Sequence, residues 1–386
     1  MDNLDSRRMV LILGLMAFCC NGDNYAAAPL IVEIAKDLHL DISRAALSVT
    51  AYMLPFGLFT LLFGPLADRY GKARIINLAA FGTAIFSALG AVAFDLASLS
   101  VIRGINGAFA AAILPVTMSL IGDRFGRDPQ TVQNALGKVL GMMFLGGATA
   151  MAIGGALAYV GSWRLVYLVY GIAELIIAFL MLKILEKQPG TVASLNLKGA
   201  YSEAFANAKL IKTVSIIFLV GSSIFGSFTY AGKFVETRTG YNILLVGLIL
   251  TCFGLATVVG GRKAGALRQK FGNKLLLLAG ILASASWALM GAWHSPVLLS
   301  LSLAGFGFGF IMIQPTLIAT AQQLMPARRG TAMSLASFNM FVGGGLGTLI
   351  NGQILDMWGY PLVFVGAAIL ILLSGFLAAI CLPKTS

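Results

Sequence analysis

The chain has 386 residues, of which 58 % are hydrophobic and 11 % charged, with a mean hydropathy of +0.89. A soluble domain carries about a quarter charged residues, so this composition excludes a soluble fold and makes the lipid bilayer the solvent. The net charge of +12 sits in short segments between apolar runs, which is the positive-inside pattern of a membrane protein and not a polyanion site, so no nucleic-acid partner is expected.

A membrane helix needs about 20 residues to cross roughly 30 Å of hydrocarbon. Twelve runs meet that length, and the predicted class is an all-α membrane protein. The first, 9–31, continues directly toward a second apolar run without a cleavage site, so it is read as a retained helix and not a signal peptide. It carries Asp23 between Asn21 and Asn24, followed by Tyr25. The second, 45–66, holds Tyr52 and Pro55 and leads into GPLADRYGKA. The third is 74–94. The fourth, 97–120, contains Arg103, Asn106 and Pro115; the fifth, 134–159, contains Gly146, Gly147, Gly154 and Gly155; and the sixth, 163–182, contains Glu174.

The longest polar connection, 183–211, is read as a linker between an N-terminal six-helix bundle, 1–182, and a C-terminal one, 212–386. Span seven, 212–232, carries Phe225, Phe228 and Tyr230, and span eight, 242–260, leads into GALRQKFGNK. Span nine is 274–293. Span ten, 296–320, includes Gln314 and Pro315; span eleven, 331–353, includes Asn339 and a glycine run; span twelve is 358–381. Pro55, Pro115 and Pro315 are expected to interrupt their helices.

With both termini in the cytoplasm, 21 of the 27 Lys and Arg fall on that side, and this asymmetry sets the expected orientation. Cys19, Cys20, Cys252 and Cys381 lie in or against apolar runs without metal-type spacing, so they read as small buried hydrophobes and no metal is expected. No G-x-x-x-x-G-K-S/T loop is present, and His39 and His294 fall near opposite ends of different spans. An enzyme is therefore not expected.

The two halves repeat. Gly64, Leu66, Arg69, Tyr70 and Gly71 recur in step as Gly265, Leu267, Lys270, Phe271 and Gly272. GGATAMAIGGALAYVGSWRLVY from 146 matches GGGLGTLINGQILDMWGYPLVF from 343. Duplicated bundles are the usual way to build a pore that opens alternately to either side. The glycine after the aromatic allows a tight turn, and Asp68 beside Arg69 is placed to latch the cytoplasmic face in one state.

The segment GPLADRYGK, 64–72, resembles the signature loop between the second and third helices of the major facilitator superfamily. It departs in having Ala73 before the next basic residue, Arg74, and the second copy has Gln269 where the acid stands. Arg103-Gly-Ile-Asn-Gly107 is similar to the arginine motif of the drug-proton antiporter branch. GGATAMAIGGALA is similar to that branch's span-five motif, although Met151, Ala152 and Ile153 replace its usual Gly-Pro approach to Gly154 and Gly155. The resemblance implies the major facilitator fold, two pseudo-symmetric bundles, and a cycle around a central cavity without any nucleotide or other cofactor. Gly64, Asp68, Arg69, Gly71 and Lys72 would form the gating loop. The span-five glycines would serve helix packing or conformational switching.

An ionised side chain in hydrocarbon needs a partner, a wet cavity or a proton. Asp23, Arg103 and Glu174 are the deeply placed ones and are assigned to proton coupling or cation binding; each also has a structural reading as charge compensation. Glu33 and Glu236 lie near outer helix ends and are kept out of the site. A substrate cavity is expected from Asn24, Tyr25, Tyr52, Asn106, Phe225, Phe228, Tyr230, Gln314 and Asn339, with Asp23 turned toward it.

The leading expectation is a proton-coupled exporter of amphipathic or cationic small molecules, with sodium retained as an alternative ion. The second is a transporter of a defined metabolite: a sugar, organic anion, siderophore or lipid. The expected setting is a bacterial inner membrane and a monomer, with the bilayer and a small-molecule substrate as partners.

Overall fold

The computed structural model describes residues 3–125, 129–186, 189–190, 197–292 and 294–382; Arg127, Lys187 and Lys384 of the charge argument lie outside them. The described residues form helices joined by short turns, with no strand among them. Among the described residues eleven helices are long and apolar enough to cross a membrane, and a twelfth, Lys274–Met290 with 17 residues, takes the ninth place in order. The twelve spans are Ser6–Asp37, Ile42–Tyr70, Lys72–Val92, Leu96–Phe125, Asn134–Val160, Trp163–Ile184, Ala208–Thr239, Ile243–Phe271, Lys274–Met290, Pro296–Gln323, Arg329–Trp358 and Tyr360–Cys381. A ten-residue helix, Leu197–Ala206, lies in the connection between spans six and seven.

The observed helices outrun the apolar runs. Span one reaches Asp37 instead of residue 31, and span eight reaches Phe271 instead of 260. Hydropathy registers only the hydrocarbon-facing turns, whereas the backbone stays helical through charged turns beyond them. The segment expected as a gating loop is accordingly helical from Gly64 to Tyr70 and turns only at Gly71. Gly71 has φ 95° and its repeat mate Gly272 has φ 55°, a left-handed region that side chains with a Cβ rarely enter. Both glycines therefore make the tight turn that the repeat pattern predicts.

The prolines behave differently from expectation. Pro55 and Pro315 lie inside unbroken helices. Span four alone of the three pauses, at Ala111–Ala112, and resumes at Ile113 just before Pro115. Neighbouring helices and local adjustment satisfy the backbone groups that a membrane proline frees. Asp95 opens span four with a capping box, accepting from the Ser98 amide at 2.8 Å while the Ser98 hydroxyl accepts from the Asp95 amide at 3.1 Å. Hydrogen bonding from the Ser98 side chain and amide holds the Asp95 carboxyl below its ordinary range.

Packing follows the repeat. Span one packs on five, two on four and three on six; seven packs on eleven, eight on ten and nine on twelve. Across the halves, span five lies against eight and span two against eleven. A shared detail carries the symmetry to atoms: a Cβ on Gly146 would collide with the Phe18 carbonyl, and one on Gly343 with the Phe218 carbonyl. Bare backbone at these two crossings lets the helices approach closely, as small residues do in membrane bundles.

Candidate functional site

A cavity of about 1400 Å³ lies between the halves, lined from spans one, two, four and five on one side and seven, eight, ten and eleven on the other. Its mouth includes Arg7, Lys138 and Arg262, all exposed, so it opens at the end of the molecule rich in Lys and Arg. Deeper in, rings from both halves meet. Tyr25 and Phe225 lie 5.7 Å apart between centroids, Phe225 and Phe341 5.6 Å, and Phe56 stacks on Phe341 at 3.8 Å. Asn21, Asn24, Tyr52, Thr257, Gln314 and Ser337 add amides and hydroxyls. Among the described residues no Asp or Glu lines this cavity.

Of the residues expected here, Asn24, Tyr25, Tyr52, Phe225 and Gln314 do line it. Four others are placed elsewhere. Phe228 packs between Phe253 and Trp287, and the Tyr230 hydroxyl donates to the Thr348 carbonyl at 2.6 Å while fully buried. Asn339 spends its amide on its own helix, donating to the Leu335 carbonyl at 2.8 Å. Asn106 belongs to the charged cluster described next. Residue type alone separates none of these from true lining positions, because helix rotation decides which face meets the cavity. Phe56, Phe253 and Phe341 line it without having been singled out among the 25 phenylalanines.

Asp23 does not face the cavity. It is 1 % exposed and sits inside the first half, where the Arg103 guanidinium donates to its Oδ2 at 2.9 Å and the Asn106 amide donates to the same oxygen at 3.1 Å. The Thr83 hydroxyl donates to the Asn106 Oδ1 at 3.2 Å. Arg103 lies over the rings of Tyr52 at 4.3 Å and Tyr167 at 5.1 Å, so its charge meets a carboxylate and two π faces. Glu174, 0 % exposed, stands by this cluster, and neither of its carboxyl oxygens has a hydrogen-bond partner; the Thr83 hydroxyl is its polar neighbour. The sequence brought these three ionisable residues to one expected site, and the structure draws them together from spans one, four and six.

At the basic end, the Lys72 ammonium pairs with Asp123 and lies 4.0 Å from Asp68, tying spans two, three and four of the same half. Arg69 stays exposed at the end of span two. The span-five glycines lie at close helix contacts. Gly147 abuts Asn21 and Tyr25, Gly154 abuts Ala26, and a Cβ on Gly155 would sit 2.7 Å from the Ile243 carbonyl of span eight.

The opposite end is closed by charges. The Lys36 ammonium donates to Glu236 at 2.8 Å and to Glu33 at 3.1 Å, and Lys233 donates to Glu236 at 2.7 Å. Lys36 and Glu236 belong to spans one and seven, so this pair links the halves. Glu33 and Lys36 fall 200 residues before Lys233 and Glu236: the repeat keeps the positions and exchanges the signs. That inversion is visible in the sequence: Glu236 pairs with its neighbour Lys233 at the helix end, and Lys36 of the other half joins them. Nearby, the Thr50 hydroxyl donates to the Gly345 carbonyl at 3.1 Å across spans two and eleven.

Twelve helices in two matched sets, closed at one end and open at the other onto a shared cavity, define a membrane transporter. The chain belongs to the Major Facilitator Superfamily, whose family model matches residues 13–348, and it is a secondary transporter of that family. It is similar to the "Uncharacterized MFS-type transporter YceJ" of Bacillus subtilis (strain 168), 25 % identical with 89 % of this chain and 88 % of the relative covered. A "Probable sugar efflux transporter" of Helicobacter pylori (strain J99) is 27 % identical over 93 % of this chain and 92 % of its own. The "Puromycin resistance protein pur8" of Streptomyces alboniger is 24 % identical over 82 % and 75 %. In fold, it matches a bacterial homologue of the human lysosomal transporter Spinster, in an inward-facing and unoccupied conformation. The TM-score is 0.81 at 17 % identity, over 99 % of this chain and 98 % of the other. The family and the all-α fold with about twelve spans agree with the sequence-based expectation.

Proposed function

We propose that this transporter exports a defined, uncharged metabolite of the sugar class in exchange for protons, by alternating access between the bundles 1–182 and 212–386. The observation that carries the substrate class is the cavity lining. A lipophilic cation would find aromatic rings there but no carboxylate among the described residues, and basic side chains at the mouth. An uncharged solute with hydroxyl groups finds amides, hydroxyls and rings together, the mixture that orients small ligands in largely apolar pockets. The likeness to relatives described as probable sugar efflux transporters supports the same choice. The likeness to a puromycin resistance protein and the aromatic floor favour amphipathic drugs as the second reading.

The basic end is assigned to the cytoplasm by the Lys and Arg asymmetry, which makes this conformation inward-open. The four-charge network at the far end then closes the outer side. Coupling is assigned to the cluster of buried acids and Arg103, since gaining or losing a proton changes the cost of holding a carboxyl group in the membrane interior. Binding to purified protein, measured calorimetrically with mono- and disaccharides against tetraphenylphosphonium, tests the substrate class. Saccharide binding without the cation supports the proposal; cation binding alone refutes it.

A further inference from the structure

The buried charges do not balance. Asp23, Arg103 and Glu174 are the charged side chains classed as buried among the described residues, two acids against one cation. Asp23 Oδ2 has taken both the Arg103 guanidinium and the Asn106 amide, leaving only its Oδ1 without a partner. Glu174 has neither oxygen partnered. The polar and titratable groups within electrostatic reach of it are Asp23, Cys19 and Cys20 from span one, Tyr52 from span two, Thr83 from span three, Arg103 from span four, and Tyr170 one turn away on its own helix. Arg103 is the one cation in that set, and it is bound to Asp23.

We propose that Glu174, and not Asp23, carries the coupling proton, while Asp23 and Asn106 hold Arg103 as the fixed counter-charge. The proposal rests on the proton-coupled reading above. With its proton, Glu174 is a neutral acid and fits the dry packing of span six against spans one and three. When the proton passes to water, the carboxylate left behind is stable only where water enters or Arg103 turns toward it. The two protonation states therefore favour different packings of span six. Cys20 and Tyr52 line the cavity, and the Tyr52 ring lies against Arg103 on its other side, so this layer stands between the cavity and the buried charges. The proton binds and leaves behind the substrate cavity, so ion and uncharged solute need not compete for one group.

The test is proton uptake by purified transporter after an acid jump, followed with a pH-indicator dye, in wild type, Glu174→Gln and Glu174→Asp. The expected result is that E174Q binds one proton fewer per molecule while melting near the wild-type temperature, and E174D restores the proton. In vesicles with a gradient of one pH unit, E174Q should lose an accumulation ratio of up to about tenfold. Unchanged proton uptake by E174Q overturns the proposal. A check that needs no variant is the infrared band of a protonated buried carboxyl in wild-type protein near neutral pH, whose absence also overturns it. Wild-type protein that takes up no proton and answers only to sodium would instead refute the proton-coupled reading itself.

Discussion

Replacing Lys36 by Glu tests the outer closure most sharply. In wild type, Lys36 pairs with Glu236 across the halves and with Glu33 on its own helix, while Lys233 steadies Glu236. Lys36→Glu would remove two pairs and set three acids, Glu33, position 36 and Glu236, against Lys233 alone. Exposed pairs are worth about 0.2–1 kcal/mol each, and Lys36 keeps 53 % of its side chain in solvent, so the lower half of that range applies. Only the inter-halves pair differs between open and closed outer ends. Its loss, with the new repulsion, amounts to roughly 1 kcal/mol, or about fivefold toward the outward-open state. Distances between spin labels on the outer ends of spans one and seven would report the populations. Adding Glu236→Lys should restore the cross-pair and return most of the shift, and raising salt should shrink the effect in wild type. A shift equal in the single and double variants would refute the latch.

Other perturbations address packing and binding. Gly146→Ala drives a methyl into the Phe18 carbonyl and should destabilise by about 1–3 kcal/mol, whereas Gly122→Ala, with nothing within 4 Å, should leave thermal melting nearly unchanged; equal effects would contradict the close crossing. Gly71→Ala forces a Cβ at φ 95° and should cost about 1–3 kcal/mol in the same melting assay, with a neutral result refuting the strained turn. Gln314→Ala should weaken solute binding about fivefold through one lost hydrogen bond of roughly 1 kcal/mol, read by calorimetry; unchanged affinity removes Gln314 from the site.

Much of this architecture is legible in the sequence because the bilayer restricts it so severely. Length and hydropathy give the twelve spans, and the stepwise return of Gly64, Arg69, Tyr70 and Gly71 as Gly265, Lys270, Phe271 and Gly272 gives the duplication. The cost of charge in hydrocarbon singles out Asp23, Arg103 and Glu174 without any structure. What the sequence does not carry is rotation about each helix axis. Asp23 and Asn24 are neighbours in the chain, yet Asn24 lines the cavity and Asp23 points back into its own bundle. Phe225 and Phe228 likewise fall on different faces of one helix. Helix ends are the other gap, since charged turns such as Arg268–Phe271 remain helical after the apolar signal has stopped. The sign inversion between Glu33–Lys36 and Lys233–Glu236 was readable but gains meaning only when spans one and seven are seen to meet.

Transport in sealed vesicles with an imposed proton gradient tests the central claim most directly. Purified protein is oriented with its basic end outward, a labelled saccharide is supplied outside, and the interior is made acidic. Proton-driven export predicts accumulation inside the vesicle that collapses when a protonophore dissipates the gradient. Saccharide flux that stays the same with the gradient present, absent or reversed would contradict it.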